Sequence, residues 1–172
     1  PNGTTLREII YDHAGGIPNG RKLKAVIPGG ISAPLLTPDQ LDVKMDFDSL
    51  KAVGSMAGSG GIIVMDDTTD MVWAAMIAAR FYAHESCGQC SPCREGSGWV
   101  YRNVKRINDG HGRPQDLANL PGIVNNIGGN TICAFGDAVT MCISSYVAKF
   151  KVEFEAKIKS GTPGPVKETV HI

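Results

Sequence analysis

The sequence predicts an α+β protein in which a small mixed module precedes a bundle of four helical stretches with a metal–sulfur site at one end. Three observations carry that expectation. Short strand and helix signals alternate over residues 1–66, punctuated by glycine and proline, and long apolar-periodic stretches follow from Met71 to Ile158. Three cysteines, Cys87, Cys90 and Cys93, stand at a strict C-x2-C-x2-C spacing, and Cys133 follows forty positions on. At 172 residues the chain has room for one medium domain or two small ones, and the polar run Asp66-Asp67-Thr68-Thr69-Asp70 marks the expected boundary. Modules at 1–66 and 67–159 are therefore expected, with a flexible tail at 160–172.

Taken in order, Thr5-Leu6-Arg7-Glu8 has the form of a capping box, with Leu6, Ile9, Ile10 and His13 at helical spacing. A short amphipathic helix is predicted there, stopped by Gly15 and Gly16, with His13 as a helix-end residue rather than a ligand. Leu23 to Ile27 reads as a strand closed by Pro28-Gly29-Gly30. Phe47 to Gly54 reads as a short helix with Asp48 as cap and Gly54 as stop, and Ile62 to Met65 as a buried strand. The glycines between 54 and 61 lack the Gly-Lys-Ser/Thr ending of a phosphate loop and the order of a dinucleotide fold, so they read as a tight turn.

Met71 to Tyr82 is alanine-rich and almost continuously apolar, as expected of a helix packed on several sides. It delivers the chain to His84 and the cysteine loop. Arg94 to Asn108 follows as a second helix, with Trp99, Val100, Val104 and Ile107 on its buried side. Asp116 to Asn126 holds a third, interrupted at Pro121-Gly122, and Gly128-Gly129-Asn130 is the turn that brings Cys133 in. Asp137 to Ile158 reads as one closing helix or two joined ones, with Ala138, Met141, Ile143, Tyr146, Val147, Phe150 and Phe154 as apolar positions.

Three close thiolates take three corners of a cubane only where the backbone turns tightly, which Gly88, Ser91 and Pro92 permit. The fourth corner then comes from elsewhere. This three-plus-one grouping is how 4Fe-4S clusters are commonly held, whereas structural zinc sites usually show two separated pairs or histidine partners. Iron–sulfur binding is therefore preferred over zinc and over a thiol-redox or purely structural use. Cys142, in a mostly apolar run, reads as a core residue.

A cluster held by four thiolates has no open iron position, which favours one-electron transfer over Lewis-acid chemistry. Its negative charge calls for donors, expected from backbone N–H groups around Cys87 to Cys93 and at the helix start near Asp137. Arg94 is balanced between a positive charge beside the third ligand and a solvated helix-start residue, and His84 reads as surface or outer neighbour.

Seventeen basic against seventeen acidic residues give zero formal net charge, which argues against a nucleic-acid groove or a polybasic membrane anchor. The longest wholly apolar run, Met71 to Ala79, is too short to cross a bilayer. The first residues show no secretory signal, and closely packed cysteines without even pairing suit a reducing compartment. The absent initiator methionine points to processing or truncation.

Glu85-Ser86-Cys87-Gly88-Gln89-Cys90-Ser91-Pro92-Cys93-Arg94-Glu95-Gly96 and Thr131-Ile132-Cys133-Ala134-Phe135-Gly136-Asp137 closely resemble the C-terminal part of a known family. That family is the NADH- and FMN-binding subunit of respiratory complex I. The resemblance runs through nearly the whole chain: 3–16 and 23–66 look like its SLBB domain, a β-grasp-like soluble-ligand-binding module, and the remainder like its helical 4Fe-4S domain. It implies that Cys87, Cys90, Cys93 and Cys133 ligate one 4Fe-4S cluster. That cluster takes single electrons from NADH-reduced FMN and passes them along an iron–sulfur chain toward quinone.

The family's Rossmann-like half is absent, so the resemblance implies that FMN and NADH sit on that half or on a partner chain. The chain is then a fragment or one half of a split subunit of an NADH:quinone oxidoreductase, inactive by itself. Implied partners are the flavin-bearing half, a thioredoxin-like 2Fe-2S subunit and the large iron–sulfur subunit of the peripheral arm, with no nucleic acid and no membrane insertion. The implied location is the cytoplasmic face of the inner membrane in a bacterium, or the matrix side in a mitochondrion. Met141-Cys142 stands where the family often reads Trp-Pro.

Two other readings stand beside this one. The first is the diaphorase subunit of an NAD-linked hydrogenase or formate dehydrogenase, which carries similar modules. The second is a zinc-stabilised interaction module whose cysteines only staple the bundle. For the first 66 residues a docking or packing role is preferred over a small-ligand receptor.

Overall fold

The computed structural model describes residues 3–165. The chain is α+β and divides between Thr69 and Asp70 into two units.

In the first unit, helix α1 (Leu6–Glu8) opens on the predicted capping box. Thr5 Oγ1 accepts from Glu8 N at 3.2 Å, and Glu8 Oε2 accepts from Thr5 N at 2.7 Å. The helix then widens over Ile9–His13 into π turns, with Ala14 N–H donating to Ile9 O at 3.0 Å, so the predicted single amphipathic helix is two geometries in series. Leu6 and Ile10 still share one buried face.

Strand β1 (Leu23–Ile27) pairs antiparallel with β2 (Ile63–Asp66), in the register Ala25 to Met65, Val26 to Val64 and Ile27 to Ile63. On its other side Val26 exchanges both backbone bonds with Leu36, at 2.9 and 2.8 Å. Flanked on both sides, β1 is buried along most of its length. β2 begins one residue later than predicted and is not a buried strand: Ile63 and Val64 are 44% and 40% exposed, and Met65 alone is buried. Among the described residues it pairs with β1 only and forms the edge of a two-stranded sheet.

Helix α2 (Phe47–Ala52) is capped by Asp46 rather than Asp48. Asp46 has an extended backbone and its Oδ1 accepts from Ser49 N at 2.8 Å, which places Asp48 inside the first turn. The core of this unit gathers Leu6, Ile10, Leu23, Val26, Leu36, Leu41 and Leu50. The glycine-rich turn serves close packing: a Cβ on Gly58, whose φ is +47°, would sit 2.0 Å from Gly29 O.

The second unit holds α3 (Met71–Glu85), α4 (Ser91–Asn108), α5 (Pro114–Ile127) and α6 (Phe135–Ser160). Helix α3 packs on α4 and α6, α4 on α5 and α6, and α5 on α6. Asp70 starts α3 by accepting from Val72 N and Trp73 N at 3.0 Å each, and Lys157 of α6 pairs with its other oxygen.

Three expectations change here. Helix α4 buries Cys93, Gly96, Ser97, Val100, Val104 and Ile107, a stripe that leaves Trp99 outside at 50% exposure rather than in the core. Helix α5 runs unbroken through Pro121. That proline and Gly122 lie on the exposed face, while Leu117, Leu120, Val124 and Ile127 bury the other and hold the helix despite the missing N–H. Helix α6 is one helix with a bend at Phe150 (φ −122°, ψ 23°). Its core positions are Val139, Cys142, Ile143, Tyr146 and Phe154, whereas Ala138, Met141, Val147 and Phe150 are only half-buried.

Of the predicted tail, Ser160 ends α6 and Gly164 N–H donates to Asn108 O at 2.7 Å, while 166–172 lie outside the described residues. Among the described residues no helix is long and apolar enough to cross a membrane.

Candidate metal centre

The cysteines occupy the gaps between helices. Helix α3 ends at Glu85, a short loop follows, and Cys90 is already the cap residue of α4. The helix thus starts three residues before the predicted Arg94, because Ser91 and Pro92 suit its first turn: Pro92 lacks only an N–H that no helical carbonyl would have met. Cys87 stays in the loop, and Cys93 belongs to the first turn of α4. Between them Gly88 adopts φ +78°, a conformation open to glycine.

Arg94 closes the loop from the helix side. Its Nη1 donates to Gly88 O at 2.8 Å, its Nη2 to Ser91 Oγ at 3.3 Å, and its Nε to Glu95 Oε1 at 2.9 Å. Neither of its two predicted roles describes it fully: it is a clamp across the turn that carries Cys87 and Cys90. His84 is exposed, with Nδ1 2.9 Å from Glu85 Oε1, and stays outside the cavity described next.

The second segment follows α5. Gly129 N–H donates to Asp137 Oδ1 at 2.8 Å, Thr131 Oγ1 donates to Cys133 O at 2.9 Å, and Gly136 lies so close to Thr131 that a Cβ would meet its Oγ1 at 2.4 Å. Asp137 therefore ties this loop to α6. The N–H that reaches a cysteine sulfur is that of Ile132, which donates to Cys90 Sγ at 3.4 Å and links the two segments.

Together the segments border one cavity of about 150 Å³, lined by Cys87, Cys90, Cys93 and Cys133 with Glu85, Ser86, Gln89, Thr131 and Phe135. Cys93 is buried, Cys90 half-buried, and Cys87 and Cys133 exposed. Among the described residues no three His, Cys, Asp or Glu gather as ligands of a single ion. A lone zinc ion needs every sulfur about 2.3 Å from one point. Here four soft sulfur donors border a volume roughly ten times the space one water needs, so the residues fit a polynuclear iron–sulfur group better than one ion.

Cys142 stands apart from the cavity. It is fully buried in α6, and burial pushes its thiol up to about 12, as expected of a core residue. Sequence reasoning overlooks Ser86 and Thr131, whose only visible signal is a position one or two residues from a cysteine.

Residues 73–157 match the family model of the NADH-ubiquinone oxidoreductase-F iron-sulfur binding region. Similar curated proteins include the NADH-quinone oxidoreductase F 2 subunit of Rhizobium meliloti (strain 1021), 49% identical, and the NADH-quinone oxidoreductase F subunit of Rickettsia massiliae (strain Mtu5), 48% identical. Each match runs over 159 residues, which is 92% of this chain and 38% of the relative, so the chain spans well under half the length of these proteins. Two solved structures of an NAD+-reducing nickel–iron hydrogenase are also similar. The H2-reduced state gives a TM-score of 0.80 at 28% identity, over 92% of this chain and 26% of that one. The air-oxidized state gives 0.81 at 27% identity, over 97% and 28%. The segment matched by the family model includes all four cysteines of the cavity, and residues 73–157 belong to the family of the NADH-ubiquinone oxidoreductase-F iron-sulfur binding region.

Proposed function

We propose that Cys87, Cys90, Cys93 and Cys133 hold one 4Fe-4S cluster and that residues 67–159 are the electron-transfer domain of an NADH:quinone oxidoreductase. One observation carries this reading: two segments forty residues apart bring four cysteines to the border of one cavity. When bound, such a cluster supplies reversible acceptance and release of single electrons, which matches a two-electron donor to one-electron carriers.

The chain's own residues prepare the place. Cys93, on the rigid first turn of α4, is withdrawn from water, and Ile132 N–H supplies a fixed donor at Cys90 Sγ, where negative charge grows on reduction. Arg94 holds the loop in register. Cys87 and Cys133 lie toward solvent, the side from which a donor or acceptor approaches.

In this reading FMN and NADH are held by the part of the relatives' length outside this chain, or by a partner chain. The neighbours are a thioredoxin-like 2Fe-2S subunit and the large iron–sulfur subunit of a peripheral arm. The work is done on the cytoplasmic face of the inner membrane in a bacterium, or the matrix side in a mitochondrion. Residues 1–66 form an SLBB-type module used for docking, and the four helices of the second unit are a bundle with the cluster at one end. The hydrogenase likeness supports a module shared with NAD-linked diaphorases. Identity of 48 to 49% to the quinone enzymes against 27 to 28% favours the quinone enzyme.

Anaerobic reconstitution of the chain tests the proposal. The expected result is about four iron and four sulfide per chain and a paramagnetic signal on reduction, with Cys133→Ser losing or converting the cluster. Stoichiometric zinc without sulfide overturns it.

A further inference from the structure

We infer that Ser86 is a positioning residue for Cys93: its hydroxyl donates a hydrogen bond to the Cys93 sulfur and raises the reduction potential of the group held there. The inference rests on the four-cysteine reading above. Ser86 is the first residue beyond α3, and its backbone N–H is tied to Tyr82 O at 3.2 Å, so the residue is fixed to a helix end. Its Oγ lies 3.3 Å from Cys93 Sγ, and Gly88 N–H donates to the same Oγ at 3.4 Å.

These two contacts set the direction of the bond. A hydroxyl has one proton and two lone pairs, and Gly88 N–H engages a lone pair. A ligating Cys93 is a thiolate and has no proton to give, so the Ser86 proton points at sulfur. Cys93 is also the buried member of the four, where a fixed donor acts through a low local dielectric. Reduction adds negative charge to the cluster and its sulfurs, so the bond is stronger in the reduced form and its removal lowers the potential.

The alternative is that Ser86 merely ends α3. That job is done by its backbone N–H, which every substitution except proline leaves in place. Cys90 has its donor from the backbone of Ile132, beyond the reach of a side-chain change. Ser86 is thus the point at which a single side chain separates tuning from assembly.

The test uses the full 172-residue chain, anaerobically reconstituted and titrated electrochemically with EPR detection. Ser86→Ala is expected to load the same iron and sulfide and to show a more negative midpoint, with Ser86→Thr restoring it toward the unsubstituted value. Equal midpoints for the alanine and unsubstituted chains overturn the inference. So does a threonine chain displaced as far as the alanine chain, since shape rather than the hydroxyl would then be at work. Ser86→Val and Ser86→Thr, matched in outline, give the same contrast if the alanine chain loads poorly. An unsubstituted chain that takes up no iron and sulfide defeats the four-cysteine reading and this inference with it, whereas full loading with an unmoved midpoint defeats the inference alone.

Discussion

In the first unit the buried side chains come from short stretches spread between Leu6 and Met65, and backbones touch directly where Gly58 meets Gly29. In the second, faces of helices several turns long supply the core, and all five cysteines lie there. A metal centre needs sulfurs that leave the helical path to face one space and yet are held at their bases. Helix ends meet both needs: Cys93 sits in the first turn of α4, and Cys87 follows a residue whose backbone N–H is still bonded to α3. The first unit's helical stretches, residues 6–13 with their π turns and the six residues of α2, are shorter than any helix of the second.

The sharpest way to break this contrast is all-or-none. In the cluster-free chain at pH 8, Cys87 and Cys133 are expected to alkylate readily and Cys142 to resist, because it is buried and its thiol is pushed up to about 12. Mass spectrometry of the labelled peptides checks this, and rapid labelling of Cys142 would mean that the α6 core is loose. Next in size are core truncations, one in each unit. Phe154→Ala in α6 is expected to cost about 3–5 kcal/mol and Leu36→Ala in the first unit about 2–5 kcal/mol, read from denaturant unfolding with hydrogen exchange to locate the loss.

A smaller effect sharpens the local picture of the first unit. Asp46→Ala removes the observed cap and is expected to cost about 1 kcal/mol, against a few tenths for Asp48→Ala. The smallest concerns the start of the second. Burial alone raises the Asp70 carboxyl, but the Lys157 ammonium with Trp73 and Val72 N–H outweighs it and holds the group below its ordinary value. A carboxylate depressed in the folded state stabilises above its unfolded value and loses that contribution as pH falls through the folded one. Asp70→Asn keeps a cap and loses the ion pair, so it is expected to cost under about 1 kcal/mol at pH 7. In thermal unfolding the gap between the two chains narrows as pH falls below about 4.

Much of the architecture is legible from local chemistry. The Thr5 and Glu8 capping box, the strand Leu23 to Ile27 and the closing stretch to Ile158 are set by residues within a few positions of one another. Trp99 misleads because it sits beside Val100 in an apolar pair, and only the neighbours of α4 decide which member faces inward. Pro121 misleads because proline's local cost is visible while the burial of Leu120 and Val124 that offsets it is not. The surface position of β2 depends on which strands pair with it, a long-range fact.

The same division runs through the candidate site. Spacing and turn-forming neighbours, written in consecutive residues, singled out Cys87, Cys90, Cys93 and Cys133 as candidates, and its apolar run set Cys142 apart from them. That the four border one cavity was decided by the packing of α3, α4, α5 and α6, as were Ile132 N–H facing Cys90, Arg94 clamping Gly88 and Ser86 reaching Cys93. Hydrogen bonds to sulfur depend on angles and tenths of an ångström between segments distant along the chain, and only the folded packing sets those.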